Sequence, residues 1–238
     1  MIDNLLLKLR ARHKVSAEEE AALRGVFTDT TRYPPDRTII EAGQELNVST
    51  LLLDGLMARY KDLSEGQRQI TELHVTGDFA DLHSFTLKRL DHNVMTLTPC
   101  QVLAAPHENL KALTRDFPHL ARLLWFSTNL DAAIQREWTV SLGRRSAIAR
   151  TAHLFCELRE RLGLVALASS DGYALQMTQG ELAECLGLTS VHVNRVLKEL
   201  RERGIAEFRG GRVTILDGAA LERIAEFDPA YLYLEADA

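Results

Sequence analysis

The chain has 238 residues, 46% of them hydrophobic, three cysteines and a net charge of −5. That is enough apolar material for two modest cores, and no run of about 18 apolar residues is present that could span a membrane. Cys100, Cys156 and Cys185 are far apart, without the close spacing of a structural zinc site or a disulfide framework. The N-terminus MIDNLLLKLRARHK is too short in its apolar part for a secretory signal. A cytoplasmic protein without a bound cofactor is expected.

In chain order, residues 1 to about 27 read as helical: Leu5, Leu6 and Leu9 recur at near-helical spacing, and Ser16 with Glu19 opens a second short run. From about residue 30 to 106 the pattern changes to short alternating or β-branched segments at 38–41, 49–53, 56–61, 69–75, 94–98 and 101–105. Gly43, Gly55, Gly66 and Gly77 punctuate them, a cadence that predicts an antiparallel barrel or jelly roll. Helical patterning returns in HENLKALTRDF and then in one long run over 118–142. There Leu120, Leu123, Ser127, Leu130 and Ile134 alternate by three and four, the period of a coiled-coil seam, while Leu124, Trp125 and Phe126 widen the apolar face. One face is expected to pair with a second copy and the flank to pack on the barrel. Gly143-Arg144-Arg145 reads as a hinge, and a further helix is predicted over 146–162.

The stretch TQGELAECLGLTSVHVNRVLKELRER, residues 178–203, holds two amphipathic runs joined at Gly187, the layout of a helix-turn-helix. Thr178 and Glu181 have the form of a capping box, and Thr189 or Ser190 can cap the second helix. Val193, Val196, Leu197 and Leu200 form its buried stripe, leaving Ser190, Val191, His192, Asn194, Arg195 and Lys198 outward. Short polar side chains near a helix N-terminus, with Arg and Lys one turn later, suit a DNA major groove. Two short β-type runs then flank Arg209-Gly210-Gly211-Arg212, a hairpin signal that makes a winged helix-turn-helix with two arginines at its tip. Residues 143–216 carry 11 Lys and Arg against 8 Asp and Glu, so the basic excess sits where this motif is. The tail from Asp217 is acidic and is expected to pack loosely, with AYLYL giving some anchoring.

Barrel, long helix, hinge and winged helix-turn-helix, in this order and at this length, resemble the Crp/Fnr family of bacterial transcription regulators. The most specific parts are VTGDFADLHSF, residues 75–85, and MTQGELAECLGLTSVHVNRVLKELRERGI, residues 177–205. The resemblance implies an α+β fold. Its parts are an N-terminal helix-and-barrel sensor domain like cyclic-nucleotide-binding domains (1–115), a dimerisation helix and hinge (116–143), and a DNA-binding domain with a tail (144–238). It also implies a non-enzymatic homodimer on a pseudo-palindromic DNA site, with RNA polymerase as a further partner and a small-molecule effector, or abundance alone, as the control. Arg195 matches the family's recognition-helix arginine, and Thr178 and Gln179 match positions that bond phosphates. Thr189, Lys198, Arg209 and Arg212 complete the expected contacts. Val191 stands where many members read cytosine with a glutamate; a valine can instead touch a thymine methyl.

In the barrel, Asp81-Leu82 and His92-Asn93 stand near where cyclic-AMP-binding members hold ribose and phosphate, and Gln135 where they approach adenine. These five form the expected effector pocket, but a neutral histidine is a poor replacement for a fixed cation on phosphate. No cysteine precedes Cys100 to hold an iron-sulfur cluster. The alternatives are a jelly-roll metal enzyme, for which the barrel strands lack a His-x-His, and a cyclic-nucleotide-binding regulatory subunit, which would leave the winged motif idle.

Overall fold

The computed structural model describes residues 1–234, and the chain divides into two compact units. Residues 1–60, 73–133 and 233–234 form the first; residues 61–72 and 134–232 form the second.

The first unit opens with α1 (Asp3–Arg10) and α2 (Ala17–Arg24), the latter started by the Ser16–Glu19 capping box with both reciprocal bonds made. Strands follow at β1 (Thr30–Tyr33), β2 (Arg37–Ile40), β3 (Val48–Asp54), β4 (Leu56–Asp62) and β5 (Arg68–Val75). A one-turn helix α3 (Ser84–Leu87), strands β6 (Asn93–Thr96) and β7 (Cys100–Pro106), then α4 (His107–Asp116) and α5 (Pro118–Arg144) follow; residues 61–62 of β4, 68–72 of β5 and 134–144 of α5 belong to the second unit. The strands make two sheets, in the orders β1-β7-β3 and β2-β6-β4-β5. Successive residues of a strand face opposite sides, and this alternation builds two cores. Leu52 and Val102 point inward with Ile40, Met57 and Val94. Their neighbours Leu51 and Leu103 point outward and are covered by Leu5, Leu6 and Leu9 of α1, Leu23 of α2, Leu110 of α4 and Leu120, Leu123 and Leu124 of α5. Each fully buried leucine contributes about 1.5–3 kcal/mol, so the helices are held by the outer face of one sheet.

β1 escapes sequence reading because TTRY has no apolar alternation: it is largely exposed and is placed by its antiparallel register with β7. The helix expected to break at Gly143 runs on to Arg144. A glycine costs a helix only about 1 kcal/mol, and the interruption comes where the Ser146 side chain caps the N-terminus of α6 (Ala147–Gly163).

In the second unit, α6 is followed by β8 (Ala168–Ser169), β9 (Gly172–Ala174), α7 (Gln179–Leu186), α8 (Ser190–Glu202), β10 (Ala206–Arg209), β11 (Arg212–Ile215) and α9 (Gly218–Ala225). The wing is part of a four-stranded sheet, β10-β11-β9-β8. β8 and β9 are too short to show a period and form because β11 needs a partner on its second edge, with Val213 opposite Tyr173. The expectation of a loose tail is corrected for its described part. Asp217 caps α9, Leu221 and Ala225 are fully buried, and Tyr231 donates to the buried Glu157 carboxylate at 3.0 Å. Glu157 also accepts from Trp138 at 3.0 Å and Arg161 at 2.9 Å; burial still pushes its carboxyl above the usual range. Residues 235–238 lie outside the described residues. All three cysteines are free and buried.

Candidate nucleic-acid interface

Both helices of the motif start where the residue types dictate. Thr178 accepts from the Glu181 backbone at 3.1 Å while the Glu181 carboxylate accepts from the Thr178 N–H at 2.5 Å. Thr189 caps α8 by accepting from the His192 N–H at 3.3 Å. The turn between them needs Gly187, whose φ of +59° lies in the left-handed region. A Cβ there would also stand 3.1 Å from a Leu142 methyl carbon. Beyond α8, Gly210 and Gly211 with φ of +59° and +71° make the two-residue turn of the wing and set Arg209 opposite Arg212.

Val193, Val196, Leu197 and Leu200 are buried beneath α8. Ser190, Val191, His192, Asn194, Arg195 and Lys198 are exposed, as are Thr178, Gln179, Thr189, Arg209 and Arg212. The first group shares the outer side of one helix; the arginines occupy the adjacent wing. Val191 is 63% exposed, an apolar side chain on an otherwise polar surface. No hydrogen bond or ion pair engages the Arg195 side chain among the described residues. Lys198 pairs only loosely with Glu202, at 3.6 Å. The cap roles of Thr178 and Thr189 already use their hydroxyls as acceptors, which leaves the hydroxyl hydrogens for a phosphate.

Sequence reading missed two residues that position α7. The last carbonyls of a helix lack intrahelical donors, and here Gln69 Nε2 donates to Glu184 O at 2.7 Å while Arg150 donates to Leu186 O. Arg150 also bonds the carbonyls of Ser141 and Leu142 at 3.0 Å, so one guanidinium ties the end of α5 to the end of α7. Neither role has a local signal, because donor and acceptor are 115 and 36 residues apart.

The residues of the expected effector set have separate hydrogen-bond and packing partners. Asp81 is fully buried, accepting from the Thr50 N–H at 2.5 Å and from Ser84 Oγ at 3.2 Å. Burial outweighs those bonds and pushes its carboxyl up to about 7. Leu82 belongs to the outer core, Asn93 accepts from the Ala42 N–H at 2.8 Å, and Gln135 lies in the second unit, donating to Thr71 O at 2.9 Å. His92 instead meets His83, their Nε2 atoms 3.4 Å apart. Burial first, then Arg59 and His92, push His83 down to about 3.

The seam residues expected on α5 differ in their surroundings within the chain. Leu120, Leu123 and Ile134 are 1%, 3% and 3% exposed, buried within their own chain. Ser127 donates to Leu123 O, and Leu130 lines a small cavity with Leu5, Leu9 and Phe126. The stronger apolar stripe is the one that covers the sheet. The exposed stripe is Arg122, Trp125, Asn129, Ala132, Arg136 and Thr139, which alternates by three and four just as regularly.

A model of the cyclic nucleotide-binding domain matches residues 30–117, and a model of the Crp-like helix-turn-helix domain matches residues 149–224. The chain is 31% identical over 179 residues to the nitrogen fixation regulation protein FixK of Bradyrhizobium diazoefficiens, a match covering 73% of this chain and 72% of FixK. It is 29% identical over 196 residues to the transcriptional activator protein FnrL of Cereibacter sphaeroides, covering 79% of this chain and 77% of that one. Among solved structures, FixK2 from Bradyrhizobium japonicum superposes with a TM-score of 0.76 at 25% identity, over 90% of this chain and 99% of that one. With a barrel, a long helix and an outward-facing second helix beside a wing already in place, the chain belongs to the Crp/Fnr family of DNA-binding transcription regulators.

Proposed function

We propose that the protein acts as a homodimer, laying the two copies of α8 in successive major grooves of a pseudo-palindromic site. Arg195 carries this reading: it is exposed in the middle of α8, and no described residue occupies its guanidinium. An arginine so placed can bond the O6 and N7 of a guanine in bidentate fashion. Ser190, Val191, His192 and Asn194 reach neighbouring base edges. Thr178, Gln179, Thr189, Lys198, Arg209 and Arg212 hold phosphates and set the register. The dimer forms along the exposed α5 stripe centred on Trp125, which is 69% exposed. RNA polymerase is the further partner, and control comes through an effector of the barrel domain or through abundance. Arg195→Ala should lose about 1–3 kcal/mol of binding, with relaxed preference at one base pair. Fluorescence anisotropy on a site selected from random duplexes measures this; an unchanged affinity and base preference would remove Arg195 from the interface.

A further inference from the structure

The first unit holds a histidine pair that DNA reading does not use. His83 immediately precedes α3, and His92 lies just before β6. Their Nε2 atoms are 3.4 Å apart, with ring centroids at 5.2 Å and planes inclined by 45°. On the far side of His92, Nδ1 lies 3.0 Å from the Asp91 carboxylate. His92 is 7% exposed. His83 is half-buried in the wall of a groove of about 480 Å³, which it lines with Leu82, Phe85, Leu124 and Trp125.

The Asp91 carboxylate only accepts, so it fixes the His92 proton on Nδ1 and leaves a lone pair on Nε2. In the metal-free pair His83 donates its Nε2 hydrogen to that lone pair. Moving the His83 proton from Nε2 to Nδ1 changes the tautomer without changing the proton count, and two lone pairs then converge on one point. Two imidazole nitrogens bound at about 2.0–2.1 Å to a tetrahedral ion are separated by about 3.4 Å. The scaffold therefore already holds the separation an ion would need. A carboxylate on the remote nitrogen of a ligating histidine is also the usual outer support of such a site. Arg59 is a nearby cation, and it donates to the Asp131 carboxylate at 3.4 Å and to Ala80 O at 3.3 Å.

The geometry points to a site for one divalent transition-metal ion of the zinc class between His83 and His92, supported by Asp91. Among the described residues no group of three or more His, Cys, Asp and Glu side chains is arranged to hold a metal. Among the described residues the two imidazoles are thus the protein ligands, and water or a small ligand would complete the coordination.

The test is titration of the untagged full chain with zinc chloride by calorimetry, alongside visible absorption of the cobalt-loaded protein. Saturation at one ion per chain is expected, weakened at least tenfold by His83→Ala and by His92→Gln. Asp91→Asn should weaken it by about 10- to 100-fold. His13→Ala and His192→Ala, outside the pair, should leave it unchanged. Zinc should also raise the unfolding temperature of the parent and not of His83→Ala. Because His83 is half-exposed, its variant keeps the test open should His92→Gln fail to fold. No saturable binding, or equal binding by the parent and both histidine variants, would reduce the pair to an ordinary hydrogen bond.

Discussion

Val191 faces solvent in the first turn of α8, where a side chain that bonds a base edge would be polar. Its methyl groups match one feature of the major groove, the thymine C5-methyl. Replacing thymine by uracil at each position of a selected half-site removes that methyl and nothing else. Affinity should fall at one position for the parent and at none for Val191→Ala. An identical uracil profile in the two proteins would take Val191 out of specificity. His153 governs stability in a different way. It is 2% exposed, its ring between Phe227 and Tyr231, and burial first, then Arg145, push its pKa down to about 4. The nearby Glu137 carboxylate does not reverse this, since Arg145 holds it at 2.6 Å. The folded state thus keeps His153 neutral, whereas the unfolded chain takes up the proton near 6.5. Stability from this residue is complete above about pH 6.5 and is lost as pH falls toward 4, about 3 kcal/mol in all. Urea unfolding at pH 7 and pH 4.5 should show a smaller pH loss for His153→Phe; parallel losses would contradict the assignment.

At the scale of elements, α5 carries two stripes with the same three-and-four alternation, and they separate by experiment. Leu123 sits in the outer core with Leu120 and Leu124, so Leu123→Ala should cost about 2–5 kcal/mol of chain stability. Trp125 is on the other stripe, and Trp125→Ala should leave the folded chain stable while shifting it toward monomer. Light scattering after size exclusion, paired with thermal unfolding, reads both; dissociation by Leu123→Ala without loss of stability would restore the first seam. The helix-turn-helix was legible because its signals are local. A capping box, a helix-ending glycine and a second cap each act within four residues. β1, β8 and β9 were not, since each is two to four residues long: β1 and β9 are held by hydrogen bonds to a distant strand, and β8 pairs only with β9.

For the whole molecule, the net charge of −5 obscures a basic excess confined to residues 143–216, the stretch that holds the helix-turn-helix and wing. The expected dimer fixes two copies of α8 about one helical turn, 34 Å, apart. Inserting five base pairs between the half-sites turns the second half-site to the opposite side of the duplex, and affinity should fall to that of a single half-site. Retained affinity would mean that the two copies bind independently. By itself the sequence determined the order of the parts, the capped starts of α2, α7 and α8, the glycine end of α7, the Gly-Gly wing and the polar face of α8, because each depends on neighbours within a turn or a strand. Tertiary structure alone decided which α5 stripe is buried and that Asp81 is enclosed by Thr50 and Ser84. It also decided that Gln69 and Arg150 hold the end of α7, and that His83 meets His92. Periodicity identifies a face but not what covers it, and the partner of a buried polar group is set by packing between segments far apart in the chain.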